Sequence, residues 1–411
     1  MKVLRNPSGC IQTQFDLSRV AEIIEEVRIR GDEAVAEFTE RFDHAELGPD
    51  QLRVDPNELE SSVGILEPDV LAGLRTSIAN VKAVARAQVC NEQVTVELPE
   101  GHSVEVSEHP VRRAAVYVPG GRAPYPSTVV MGAVTAREAG VEQIAVCAPP
   151  GPGGRAHPVI LAACVLCEVT EVYRMGGAQA IAALAFGTES VQAVDVIVGP
   201  GNMYVQEAKR QVVGQVGIDG IAGPSELTVV ATAGADPELV ALDLMAQAEH
   251  GPDSRVHCIS PDSSLLDGVA AAIKRFGATR PSVPAGAEAR LHDAADVANA
   301  LRFAEEIAPE HLELVGEEAE ALAGRVRNAG CLFVGAGAAT AFGDYVAGSN
   351  HVLPTGGAAR FQSALSAATF RRRMARVTFP GDSAAKLAPA GAAIARAEGF
   401  PVHAESMERR A

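Results

Sequence analysis

Four pairs of side chains in this sequence have the types and spacing for acid–base chemistry or metal binding. Gln247 and His250 lie three residues apart, so on a helix they share a face. Glu310 and His311 are adjacent, and a neighbouring carboxylate and imidazole can divide the work of general acid and general base near neutral pH. Asp344 and His351 stand in FGDYVAGSNHVLPTGG among Gly343, Gly348 and Gly356, a stretch expected to be irregular with exposed backbone. Glu398 and His403 stand in EGFPVHA, almost at the C-terminus. Gln247, His250, Asp344 and His403 together offer two nitrogen and two oxygen donors, a set compatible with zinc. Their separation in sequence leaves open whether they meet. The plain alternatives are a last-turn histidine that only faces the helix dipole, and a surface Glu-His pair.

The elements that must carry these residues are readable in part. Asp236 before Pro237 reads as an N-cap followed by proline at the first helical position, and Gly251-Pro252 as a stop, which predicts one helix over 237–250. Leu239, Val240, Leu242, Leu244 and Met245 mark it as a buried helix that delivers Gln247 and His250 at its exit. Pro309 ends a helical pattern, so Glu310 and His311 are expected on a loop. From about residue 111, β-rich runs alternate with helical ones. Strands are expected at 114–118, 143–147, 171–174 and 195–198, with helices at 127–139, 158–167, 178–186 and 202–213. A second series follows, with strands at 227–231, 255–259 and 331–334 and helices at 237–250, 264–276 and 296–307.

This pattern predicts an α/β fold of two Rossmann-like doubly wound units with parallel sheets. Residues 1–110 are expected to form an N-terminal helical region, from runs at 17–43 and 67–89, that packs with the second unit. Residues 111–226 form the first unit, 227–361 the second, and 362–411 a C-terminal extension of short helices. The Pro/Gly/Ala-rich piece 277–289 reads as a linker. Three glycine-rich loops, PGGRAPYPST, GGAQ and GPGN, directly follow strands of the first unit, where a parallel sheet binds ligands and glycine lets backbone N–H groups approach a phosphate. None matches G-x-G-x-x-G, and GAGAATAFG at 335–343 has Thr340 where the third glycine belongs.

Composition narrows the function classes. The 411 residues are 47% hydrophobic and 21% charged, as in globular proteins with more than one core. A net charge of −17 and the absence of tryptophan argue against nucleic acid or an anionic membrane as partner. No apolar run approaches the roughly 18 residues of a membrane span, and MKVLRNPSGCIQTQFD has no apolar signal region, so a cytoplasmic location is expected. The seven cysteines (Cys10, Cys90, Cys147, Cys164, Cys167, Cys258, Cys331) are odd in number and scattered, which is no disulfide framework. Cys164 and Cys167 sit in an apolar run and read as core thiols.

Taken in order, GGAQAIAALAFGT, GPGN, GPSE, QAEHGPDS, APEHLEL, GDYVAGSNHVLPTGG and EGFPVHA make the chain resemble the histidinol dehydrogenase family from about residue 16 to 406. The resemblance implies a zinc- and NAD-dependent oxidation of L-histidinol to L-histidine through histidinaldehyde. By the same resemblance Gln247, His250, Asp344 and His403 are zinc ligands, and Glu310 and His311 the catalytic pair. Ser225, His351 and Glu398 match substrate contacts beside the zinc ligands and His311, and Tyr117, Gln179 and Asn202 match NAD contacts. The family implies a homodimer in which the C-terminal segment crosses over, so that Glu398 and His403 complete the other subunit's site. Residues 277–295 depart from the pattern by lacking an evident β-strand. Rival readings are a related zinc dehydrogenase of another small amino or sulfonated alcohol, disfavoured by Ser225, His351 and Glu398, and an inactive metal-binding relative, disfavoured by Glu310 and His311.

Overall fold

A computed structural model describes residues 1–7, 17–89, 93–120 and 123–411. Cys10, Cys90 and the Gly121-Arg122 part of the first glycine loop lie outside the described residues. Two parallel sheets organise the chain. The first orders its strands Glu171–Arg174, Gln143–Ala148, Arg113–Tyr117, Val196–Val198 and Gly217–Ile218. The second repeats that third-second-first-fourth-fifth order with Glu288–Asp293, Arg255–Ser260, Glu226–Ala231, His311–Val315 and Cys331–Val334. In each, the chain reverses direction of growth beside its first strand, which leaves a crevice at that switch point.

The central strands carry apolar residues on both faces because both faces are covered. Ala114 and Val116 face one core while Ala115 and Tyr117 face another, and Leu227 and Val229 likewise oppose Val230 in the second sheet. Cys164 and Cys167 are buried and unbridged, and burial pushes both thiols up, as core thiols require.

Four expectations are corrected. The N-terminal helices Arg19–Arg30 and Asp32–Asp43 pack on Gly177–Phe186 and Met203–Val212 of the first unit, through Val20, Ile24, Val27 and Phe38. Helix Pro68–Gln88 also packs there, so the region as a whole does not join the second unit; strand Lys2–Arg5 does, by pairing with Glu288–Asp293. That pairing is the second correction. The presumed linker ends in a strand whose Ala289 and Leu291 are buried, while Glu288, Arg290 and His292 alternate with them and disguise it. Third, a small antiparallel sheet joins Val94–Glu97, Ser103–Pro110 and Arg371–Thr378. Arg371–Thr378 is exposed along nearly its whole length, and without a buried face there is no alternation to read. The C-terminal extension is thus a strand followed by helices Ser383–Ala397 and Pro401–Glu408, rather than short helices alone. Fourth, His311 opens a strand and Glu310 immediately precedes it, so the pair sits at a strand end and not on a free loop.

Candidate active site

The helix that delivers Gln247 forms as its caps dictate. The Asp236 side chain accepts from the Glu238 N–H at 2.8 Å, Pro237 takes the first helical position, and the helix closes at Ala248. Val240, Leu244, Met245 and Ala248 fasten it to the second sheet, while Leu239 is exposed, so only one side of the helix is core. Gln247 is buried with its Nε2 unpartnered. His250 lies two residues past the helix end, its side chain 38% exposed.

Asp344 rides on the short helix Thr340–Tyr345. The long N-terminal helix Pro68–Gln88 holds the following turn: Ser77 Oγ donates to the Tyr345 carbonyl, and Asn80 Nδ2 to that of Val346 at 2.7 Å. Gly348 makes this contact possible, with φ of 92° and a Cβ position 3.0 Å from the Asn80 carbonyl oxygen. His351 then turns back, its Nδ1 donating to the Asp344 carbonyl at 3.0 Å and its Nε2 3.3 Å from Thr128 Oγ1.

These segments enclose a cavity of about 320 Å³ between the two units. Gln247, His250, Glu310, His311, Asp344 and His351 line it from the second unit, with Ser225, which precedes the Glu226–Ala231 strand and so belongs to that unit rather than to the first as expected; Pro119, Gly120, Pro200 and Gly201 line it from the first. The first unit contributes the carboxyl edge of its sheet at the switch point between Arg113–Tyr117 and Val196–Val198. The second contributes the amino ends of Glu226–Ala231 and His311–Val315. Two sheets therefore meet edge to edge, one by loops and one by strand starts.

The cavity floor is dry enough to dominate its titrations. Burial lowers His311 and His351 to about 4 and also lowers His250, so all three imidazoles are neutral ligands or bases at neutral pH. Burial raises Asp344 to about 7 and pushes Glu310 well above the usual carboxylate range, with the Glu226 and Asp344 carboxylates adding to the effect on Glu310. His311 Nδ1 is 3.6 Å from Glu310 Oε2 but 2.9 Å from the Glu226 carbonyl, and a neutral imidazole gives its proton to the carbonyl. Asp344 stands 3.9 Å from both His250 Nε2 and His311 Nε2.

The donor set His250 nitrogen, Asp344 oxygen and Gln247 amide suits a divalent cation such as zinc, and the orphaned Gln247 Nε2 fits an amide whose oxygen is turned to other use. Among the described residues no three His, Cys, Asp or Glu side chains gather into a metal-holding group. Glu398, in the turn after helix Ser383–Ala397, and His403, on helix Pro401–Glu408, are exposed; the two helices pack on each other through Ala392, Ala395 and Ala404, and neither residue lines the cavity.

Tyr117, Gln179 and Asn202 surround the glycine loops without lining the cavity itself. Tyr117 is buried, its hydroxyl accepting from the Gly177 N–H at 3.1 Å. Gln179 is buried 3.5 Å from Asp43, and Asn202 caps Met203–Val212 by accepting from the Tyr204 and Val205 N–H groups. Gly199 lets this crevice form: its φ is 113°, and a Cβ there would lie 2.1 Å from the Tyr117 carbonyl oxygen. Polar residues at the site that escaped the residue-by-residue reading include Ser127, Thr355, Thr128 against His351, and Glu226 behind Glu310 and His311. Glu226 had one signal, a lone charge opening the apolar strand ELTVVA.

Comparison with known proteins identifies the family. The profile of the family described as histidinol dehydrogenase matches residues 11–411. The histidinol dehydrogenase of Parasynechococcus marenigrum is 46% identical over 95% of this chain and 90% of its own length. That of Gluconobacter oxydans is 42% identical over 95% and 92%. The crystal structure of histidinol dehydrogenase from Elizabethkingia anophelis superposes with a TM-score of 0.92 at 31% identity, covering 100% of this chain and 98% of that one.

Proposed function

The chain belongs to the histidinol dehydrogenase family, and from that premise we propose that it oxidises L-histidinol to L-histidine with zinc and two NAD at the cavity between its two units. Histidinol oxidation in histidine biosynthesis follows from the family itself. The dependence on zinc and NAD and the residue roles are our reading; the gathering of seven expected site residues around one cavity carries the metal, substrate and acid–base assignments, and the NAD assignment rests on the family.

In this reading Gln247, His250 and Asp344, with His403 from a second copy of the chain, hold zinc. Zinc and NAD, when bound, supply respectively a positive charge that orients the substrate's imidazole and amine and an acceptor for the hydride lost in each oxidation. His311 carries its proton on Nδ1, so Nε2 is the bare nitrogen that takes the hydroxyl proton of the alcohol. Glu310, with one oxygen pinned by a backbone N–H, activates water to attack the aldehyde. His351 and Ser225 contact the substrate, and Glu398 of the second copy reads its ammonium charge. Tyr117, Gln179 and Asn202 serve the NAD side, beside the glycine loops at the carboxyl edge of the first sheet. Burial keeps the His311 imidazole neutral and so able to accept a proton, and it raises the proton affinity of the Glu310 carboxylate.

Turnover of histidinol with NAD by metal-stripped protein, before and after zinc is restored, tests the proposal. Activity lost on stripping and regained with zinc supports it; full activity without metal contradicts the zinc assignment.

A further inference from the structure

Glu226 opens a strand whose next residues, Leu227, Thr228, Val229 and Val230, are wholly buried, and it is itself 4% exposed. A carboxylate in such a place is costly unless its oxygens find donors. They do. Oε1 accepts from Arg255 Nη1 at 3.2 Å and Oε2 from the Gly356 N–H at 3.1 Å. The backbone of the same residue serves the catalytic pair: its N–H donates to Glu310 Oε2 at 2.8 Å, and its carbonyl accepts from His311 Nδ1 at 2.9 Å. Strand pairing explains the proximity, because His311 lies in register with Leu227.

We propose that Glu226 is the positioning residue of this site, its backbone fixing Glu310 and His311 while its side chain ties that backbone to the segment bearing Asp344 and His351. The proposal rests on the reading of Glu310 and His311 as the reacting pair. Its role is indirect, since Glu226 does not line the cavity that holds the pair; its side chain faces a separate cavity of about 420 Å³ with Arg255, His257 and Arg290. A carbonyl can only accept, so the bond from His311 Nδ1 fixes the imidazole tautomer and leaves Nε2 bare on the side of Asp344. The N–H bond fixes one Glu310 oxygen and leaves Oε1 for water. Were the side chain of Glu226 cut away, its backbone would lose the anchors at Arg255 and Gly356, and both reacting groups would shift together.

The test compares Glu226→Ala, Glu226→Gln and Arg255→Met in the full-length zinc-loaded protein. Glu226→Ala lowers kcat from histidinol and from histidinaldehyde alike, by about 10²-fold as for an ångström-scale misplacement of reacting groups, with little change in histidinol KM. Glu226→Gln, which still accepts from Gly356, recovers much of the loss, and Arg255→Met loses part of it. In protein with 15N-labelled histidine, Glu226→Ala raises the Nε2–H tautomer of His311, a signal that does not depend on turnover. Folded Glu226→Ala with wild-type kcat and an unchanged tautomer overturns the proposal. If Glu226→Ala does not fold, Glu226→Gln and Arg255→Met carry the same comparison, and wild-type values in both overturn it. Full turnover by Glu310→Gln and His311→Gln would instead sink the reading of the pair, while the tautomer still decides what Glu226 holds.

Discussion

His250, a proposed ligand, lies past the end of its helix, whose packing rests on Val240, Leu244 and Met245. His250→Ala is therefore expected to abolish zinc-dependent turnover while circular dichroism and Tm stay near wild type; joint loss of activity and fold would make it a core histidine. Glu310→Gln keeps the shape and removes the basicity. It should slow oxidation of histidinaldehyde more than that of histidinol, because only the aldehyde step needs an activated water. Equal slowing of both, measured by single turnover from each substrate, would remove Glu310 from that role. The residues legible in the sequence were those whose type announces chemistry, such as His250, Glu310, His311 and Asp344. Thr128 and Glu226 were not singled out, because they act by touching another residue's ring or through their own backbone, and no spacing encodes that.

Elements were legible where burial imposes a period. The first four strands of the first sheet in chain order fall within a residue or so of expectation because their apolar runs are bounded by glycine loops, whereas Gly217–Ile218, only two residues long, was not expected. Val94–Glu97 and Arg371–Thr378 were hidden because most of their residues face solvent, and Glu288–Asp293 because one of its faces is polar. One pair of elements also stores a proton. Asp243 on helix Pro237–Ala248 and Glu313 on strand His311–Val315 are both pushed above the usual carboxylate range, chiefly by burial, and for Glu313 also by the Asp243 carboxyl beside it. The folded chain thus binds a proton that the unfolded chain releases at lower pH, so stability is fullest below the ordinary carboxylate range and falls as pH rises through the folded values. Urea midpoints taken from pH 5 to 9 should decline in the wild type and decline less in Glu313→Gln. The same slope in both would mean that the pair holds no proton.

At the scale of the whole molecule, the cavity joins the carboxyl edge of one sheet to the amino edge of another, an arrangement that the alternation of elements could not reveal. The alternation gave two units; how they face each other depends on contacts far apart in sequence, such as Asn80 with Val346. Glu398 and His403 lie away from the cavity, on helices that expose Ile394, Phe400 and Val402. Apolar surface of this kind suits burial against a second copy, and exchange of the C-terminal segment would bring His403 to a neighbour's site. Mixing inactive His250→Ala protein with inactive His403→Ala protein should then restore activity, because a mixed dimer has one site with both histidines and one with neither. No recovery, once subunit exchange is shown, would mean that each chain supplies its own ligands. The central claim is a four-electron oxidation completed at one cavity. With limiting histidinol and excess NAD, the account predicts two NADH formed for each histidinol consumed and histidine as the product; one NADH with histidinaldehyde released would contradict it.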